Sequence, residues 1–422
     1  MSTSLQVVAR AAGQTFTDNT TRFIPIWSSI GATTATELQV QGPIRDAGSV
    51  NQLGVRVSAN TASVTSTVTL RKNLADTALT LSISADATGE FEDTANAVAV
   101  VATDEADIEV TVPAEAGTNQ LTLSVVRTQF TPTDGGTTLS LWVSTSTTWT
   151  QTDQTRFFQM GDGGDAALIE NNANIRIGGP FTARNLYTYV SANTRTDTCS
   201  ITTRRNDAAG GQSVSYATTE TGVKEDTSGT DSLPGGAGWD EFNGAVVLGG
   251  GSGTLTLRVV SVVLASTSGQ FQFVTSGATQ ALAQAFNVTN YLALGGILGA
   301  PTTTESATQL LSRLTFTARQ LTANVTANSI ATSATVVRTR LDTANGNQSL
   351  SYAAAETGWK SDTTNTDAIV TGSSRLNYQI VTPNTSGTFT VRCLTMLGEI
   401  PQIGWPLVTE APIIVERGVV AY

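Results

Sequence analysis

"TETGVKEDTSGTD", residues 219–231, decides the reading of this chain, because close variants stand at 86–98 ("DATGEFEDTANAV") and 355–367 ("AETGWKSDTTNTD"). Each copy places a Gly four residues before an Asp-Thr pair, with carboxylates around it. Such a pattern suits three cation or substrate sites, or one turn that a repeated fold needs three times. Register discriminates between them. Gly89, Gly222 and Gly358 lie 133 and 136 residues apart, and Arg71, Arg204 and Arg340 each precede them by 18 residues. "GGQSVSYATTETG" against "GNQSLSYAAAETG" makes duplication the economical explanation. The match extends outward: "GVRVSAN", "LYTYVSAN" and "LTANVTAN" end at Asn60, Asn193 and Asn328, and "QLTLSVV", "TLTLRVV" and "TFTVRCL" follow at equal places. "TRFIPIW" at 21–27 answers "TRFFQMG" at 155–161. A period of this length is a whole domain, not a solenoid repeat.

Within each copy the apolar residues alternate. In "QSVSYA", Val214 and Tyr216 share one face while Ser213 and Ser215 take the other, the period of a half-buried strand. Thr and Val favour strands, and Gly, Asn and Asp mark turns. The expectation is an all-β chain of three tandem duplicated antiparallel β-sandwich domains, jelly-roll-like or Ig-like, with about seven to nine strands each. The expected division is an N-terminal polar arm at 1–20, then repeats at 21–150, 151–270 and 271–422. Short helices are expected only at 278–286 and 302–311. No flexible linker separates the copies, so the three sandwiches form a fairly rigid body, either a pseudo-threefold arrangement or a rod.

Composition narrows the function. Of 422 residues only 14% are charged, and the net charge is −11, which argues against nucleic acid because no basic stripe exists to replace counterions. The densest basic cluster, "RTDTCSITTRR" at 195–205, reads as ordinary strand. Cys199 and Cys393 are too few and too far apart to staple a small secreted domain, and read as small buried apolar residues. The N-terminal stretch shows no signal-peptide pattern, and no run approaches the roughly 18 apolar residues of a membrane helix. A chain made in a host cytoplasm, with no membrane partner, is expected.

There is no histidine, which removes Ser-His-Asp and Cys-His catalysis together with the commonest transition-metal ligand. A glycosidase-like carboxylate pair could be sought among Glu90, Glu92 and Asp93. In the other copies, however, Glu92 becomes Glu225 and Ser361, and Glu90 becomes Val223 and Trp359. Only Asp93, Asp226 and Asp362 persist. A Ca²⁺ loop could draw on Glu225, Asp226 and Asp231 or on Asp362 and Asp367, but the first copy has Val98 at the last position. An Asp capping its own turn explains the recurrent "DT" without metal, and no cofactor is expected. Arg71, Arg204 and Arg340 are expected to pair locally with a carboxylate on a strand face. The glycine-rich stretches 233–242 and 248–253 read as exposed loops inserted in the second copy. They lack the Lys of a phosphate loop. Trp239, with Asp240 beside it, is the candidate for an exposed interaction point.

The stretch "TLRKNLADTALTLSISADATGEFEDT", 69–94, resembles a strand-turn-strand signature of tailed-bacteriophage structural proteins. There a "LRKNG-ADTALTV" strand leads through a "GATG-FEDT" turn into a jelly-roll sandwich. The resemblance implies a non-enzymatic virion protein. It would be a capsid decoration or cement protein, self-associating and partnered by the major capsid protein or other virion proteins. The alternative it implies is a head or tail fibre that recognises a host-surface glycan, with Trp239 and "EDTSGTD" at the tips. A polysaccharide-cleaving enzyme using Asp226 and a bacterial adhesin are the remaining alternatives.

Overall fold

The alternating segments do form strands. In the computed structural model the described residues are 4–26, 33–114, 119–134, 136–144, 148–150, 152–160, 167–235, 239–276, 282–285, 287–297, 301–383 and 386–401. Unit 1 comprises β1 (Ser4–Thr17), β2 (Thr20–Pro25), β3 (Gly48–Asn60), β4 (Ser66–Lys72), β5 (Ala75–Ile83), β6 (Gly89–Val100), β7 (Glu105–Val112) and β8 (Gln120–Pro132). Unit 2 repeats them as β9 (Thr137–Ser144), β10 (Gln154–Phe158), β11 (Phe181–Asn193), β12 (Cys199–Arg205), β13 (Ala208–Tyr216), β14 (Gly222–Leu233), β15 (Asp240–Leu248) and β16 (Leu255–Ser266). Unit 3 has β17 (Gln270–Ser276), β18 (Thr289–Leu292), β19 (Phe316–Asn328), β20 (Thr335–Leu341), β21 (Ala344–Tyr352), β22 (Gly358–Ile369), β23 (Arg375–Val381) and β24 (Thr388–Glu399).

In unit 1 the order is β1-β8-β3-β6 in one sheet and β2-β7-β4-β5 in the other, and units 2 and 3 keep the same order. All these pairings are antiparallel. Two four-stranded sheets with this interleaved connectivity are a jelly roll, so the fold is three tandem jelly-roll sandwiches. Each core fills from the inward positions of both sheets. Val214 and Tyr216 of β13, for instance, join Ile201, Phe242, Val246 and Leu257 in unit 2. A bulge recurs in the long third strand of each unit. Gln52, Asn185 and Gln320 take positive φ there, the register slips, and the next residue (Leu53, Leu186 or Leu321) turns fully inward.

Residues 4–17, read from sequence as a polar arm outside the repeat, are β1, paired antiparallel with β8. Their place is that of β9 on β16 and of β17 on β24. The helices expected at 278–286 and 302–311 are not found. Leu282–Ala285 is a strand on β24, and 302–311 holds a single 3-10 turn, Glu305–Ala307, before Leu310–Leu311 pairs with β23. Ladder partners override local helical preference at both places. Residues 278–281 and 286 lie outside the described residues.

The units form a closed ring rather than a rod. In each unit the short 3-10 turn or the segment just after it packs on the first sheet of another. Gly42–Pro43 of unit 1 lies on β16, Ile175–Ile177 of unit 2 on β17 and β24, and Glu305–Ala307 of unit 3 on β1 and β3. The leading strands β1, β9 and β17 touch one another at the centre. Gly296–Ile297 runs parallel between β17 and β1, so the first sheets of units 3 and 1 join into one ten-stranded sheet. Head-to-side contacts that run 1 to 2, 2 to 3 and 3 to 1 are heterologous interfaces that close after three steps. One chain thus reproduces the geometry of a cyclic trimer.

Candidate functional site

The repeated turn is the natural first place to look for chemistry. Gly89, Gly222 and Gly358 have φ of 110°, 99° and 96°, and a Cβ on any of them would meet nothing within 4 Å. The demand for Gly is therefore conformational, not steric. The Asp residues are consumed locally. Asp226 Oδ1 accepts from the amides of Ser228 (3.0 Å) and Gly229 (2.8 Å), and its Oδ2 accepts from Ser213 N (2.9 Å). Asp93 accepts from Ala95, Asn96 and Thr80, and Asp362 from Thr364, Asn365 and Ser349. Burial, the largest single influence, pushes all three carboxyls up, but these donors together outweigh it and hold them below the ordinary value. Among the described residues no cluster of three or more Cys, Asp or Glu could hold a metal ion.

The second ring of carboxylates is also structural. Asp231 accepts from Thr203 Oγ1 (2.6 Å), Gly211 N (2.6 Å) and Gln212 Nε2 (3.0 Å). Asp367 repeats this with Thr339, Asn347 and Gln348. In unit 1 the three equivalent positions are Leu70, Leu79 and Val98, all buried. A polar triad has been exchanged as a set for an apolar one. Val98 is thus no broken calcium loop but one corner of a different core.

Arg71, Arg204 and Arg340 pair with carboxylates, as expected, but the partners lie 34 or 35 residues upstream on the 3-10 turns. Arg204 Nε and Nη2 donate to both oxygens of Glu170 at 2.7 Å, Arg71 does the same to Glu37 and Arg340 to Glu305. The same guanidinium donates to the carbonyl of the second residue of the adjacent hairpin turn: Leu74, Asp207 or Thr343. Both turn residues have positive φ in every unit, the type I′ geometry that fits the strand twist. Nothing in the local sequence marks these Glu residues. Only their recurrence 34 or 35 residues before the Arg does. Asn60, Asn193 and Asn328 complete the pattern, each tying two carbonyls of the repeated turn to the end of the third strand.

Trp239 and Asp240 do not form an exposed point. Asp240 is 4% exposed and accepts from Arg205 Nε (2.8 Å), Asn206 Nδ2 (3.1 Å) and Gly235 N (3.0 Å). Trp239 is half-buried with its ring edge against Gly178, where a Cβ would come within 3.1 Å of it. Residues 236–238 of this loop lie outside the described residues. The other glycine-rich stretch is anchored rather than loose. The fully buried Arg195 donates to the carbonyl of Gly249 (2.8 Å) and pairs with Asp197. Cys199 and Cys393 are buried and unbridged.

Chemistry concentrates at the seams, which differ. Between units 1 and 2, Arg45 pairs with Glu225 and lies over the Tyr187 ring, and Asp46 pairs with Arg184. Burial, then the charge of Glu105, pushes the Tyr187 hydroxyl well above its usual value. At the 3–1 seam Glu92 is held between Arg313 and the buried Arg127. At the 2–3 seam the positions of Arg45 and Glu225 are taken by Gly178 and Ser361, and Arg176 stacks over Trp359 at 4.7 Å. Val274, Cys393 and Leu397 of unit 3 extend the core of unit 2 there. An open groove of about 390 Å³ runs between β5 and β6, lined by Thr80, Ser82, Phe91, Glu92, Asp93 and Asn96. Thr80, Glu92, Asp93 and Asn96 are already committed to protein partners. The described arrangement holds strands and seams together.

No family profile matches the chain, and no curated protein does. Among solved structures it is similar to a chain described under "The Triple Jelly Roll Fold and Turret Assembly in an Archaeal Virus". That likeness has 13% identity over 85% of this chain and 81% of the other, with a TM-score of 0.19. It is also similar to a Paenibacillus xanthan lyase, at 13% identity over 68% of this chain and 30% of the lyase, again with a TM-score of 0.19. The chain therefore spans under a third of the lyase. At these scores neither likeness bears on function. Among the described residues no helix is long and apolar enough to cross a membrane.

Proposed function

We propose that this chain is a non-enzymatic structural protein of a virion, of the tailed-phage kind that residues 69–94 resemble. In this reading it is a decoration or cement protein whose partners are the major capsid protein or other virion proteins. The observation that carries the reading is the closed three-unit ring. Its recurrent Asp, Asn and Arg residues are spent on turns, latches and seams, as suits a rigid body that binds through surface area rather than through a pocket. The test is co-sedimentation of the purified chain with particles, and their resistance to heat and low salt with and without it. Bound chain and a stability gain are expected. Failure to associate with any particle overturns the reading. Glycan binding lost in Trp239→Ala would move it to a receptor-binding appendage, and polysaccharide cleavage lost in Asp226→Asn would make it an enzyme.

A further inference from the structure

In the second sheet of each unit, the residue opposite the latch Arg has one of two identities. Arg204 faces Asn243 and Arg340 faces Asn377, whereas Arg71 faces Asp107. The amides have uses: Asn377 Nδ2 donates to Thr308 Oγ1 (2.8 Å) and Asn243 Nδ2 to Glu170 Oε1 (3.3 Å). Asp107 is fully buried, and neither of its carboxyl oxygens has a hydrogen-bond partner. The charged groups about it are Glu37 from the 3-10 turn and Arg71 from β4. Arg71 is itself engaged by Glu37, Asp76 of β5 and Glu109 of β7. The β2 residue opposite is Pro25. An ionised carboxylate here would be a buried charge without a donor, beside a second carboxylate whose Arg is already shared.

We propose that Asp107 is held as the neutral acid, in the role of Asn243 and Asn377, and that its ionisation loosens the segment 37–46. That segment runs from Glu37 through Gln41 to Arg45 and Asp46, the residues unit 1 places on unit 2, so the first seam of the ring is linked to one buried proton. Burial, then the charge of Glu37, pushes the Asp107 carboxyl up to about 8, against the opposing charge of Arg71. With the folded value raised, the native state holds a proton that the unfolded chain releases near pH 4. The stabilisation is thus complete below about pH 4, shrinks up to tenfold in the folding constant per pH unit above that, and is gone once pH passes the folded value.

The test compares the full wild-type chain with Asp107→Asn. Hydrogen exchange of the 37–46 peptide, corrected for the intrinsic pH dependence, should lose at least about tenfold in protection in the wild type between neutral pH and about pH 9. The variant should stay flat across that range. If Asp107→Asn shows the wild-type profile, the proposal fails. Should the variant not fold, infrared spectroscopy of the wild type decides instead. A protonated carboxyl stretch near neutral pH that bleaches through about pH 8 supports the proposal, and its absence overturns it.

Discussion

The exchange of a polar triad for an apolar one makes a quantitative prediction in unit 2. Asp231→Val removes the acceptor of three short bonds, from Thr203 Oγ1, Gly211 N and Gln212 Nε2, in a site where Thr203 and Gln212 are fully buried. Each donor left without a partner costs about 1–3 kcal/mol. Thr203 keeps a weak bond to Gln212 O at 3.4 Å, so the expected loss is about 3–5 kcal/mol. The triple change Thr203→Leu, Gln212→Leu and Asp231→Val instead installs the set unit 1 already carries as Leu70, Leu79 and Val98. It leaves unpaired the amide of the exposed Gly211, the residue-212 amide that Thr203 Oγ1 now accepts from (3.3 Å), and the amide of Leu186 that Gln212 Oε1 now serves (2.9 Å). The triple variant should recover at least half of the loss, a coupling of about 2 kcal/mol among residues in contact. Urea unfolding followed by circular dichroism, and by the fluorescence of Trp149 in the unit 2 core, reads both variants. A triple variant no more stable than the single one would refute the reasoning, as would an Asp231→Val midpoint equal to wild type.

Other consequences are simpler. Gly222→Ala places a Cβ in open space at a φ of 99°, so it should cost about 1–3 kcal/mol through backbone strain alone. A midpoint unchanged within error would show that the turn tolerates a side chain. Glu170→Gln breaks the bidentate pair that locks Arg204 to the 3-10 turn and should cost about 1–3 kcal/mol. Proteolysis within 167–172 should rise with it; a chain as resistant as wild type counts against the latch. Asp93, Asp226 and Asp362 have lowered folded values. Their contribution is therefore full above the ordinary Asp value of about 4 and is lost as pH falls through the folded value. Asp226→Asn should flatten the share of unit 2 in the acid limb of a stability profile, and an unchanged limb would sink that assignment.

Strand content, duplication and the structural nature of the "TG-x-x-x-DT" turn were legible because they are local. A two-residue period, a Gly at a positive φ and an Asp two and three residues before the amides it caps all act within a few positions. What stayed illegible depends on pairs distant in sequence. The partner of Arg204 is Glu170, which looks like any exposed acid until Glu37 and Glu305 are set beside it in register. The leading strand 4–17 has no counterpart motif in the other copies, since "SLQVVARAAGQTFT" shares nothing obvious with "TTLSLWVS". Only its ladder to β8 reveals it as the first strand of the unit. Asp240 looked exposed because glycine-rich loops usually are. The loop instead folds back where Gly178 and Gly179 leave room.

The divergence of the three seams explains how a threefold-repeated chain avoids docking its units in the wrong order. With identical seams, the head of unit 1 would fit unit 1 of another copy as well as it fits unit 2, and heterologous contacts that fail to close propagate. The seams differ at the second charged position. Asp46 of unit 1 meets Arg184, but on another unit 1 it would meet the equivalent residue, Asn51, and lose its partner. Unit 3 carries Leu314 in place of Asp46 and would leave Arg184 unpaired if it docked on unit 2. The head of unit 2, with Gly178 and Gly179, could not supply the Arg that Glu92 needs beside the buried Arg127. Each of these wrong pairings takes a partner from a charge, the repulsive half of specificity. The arrangement therefore favours closure within one chain over exchange between chains.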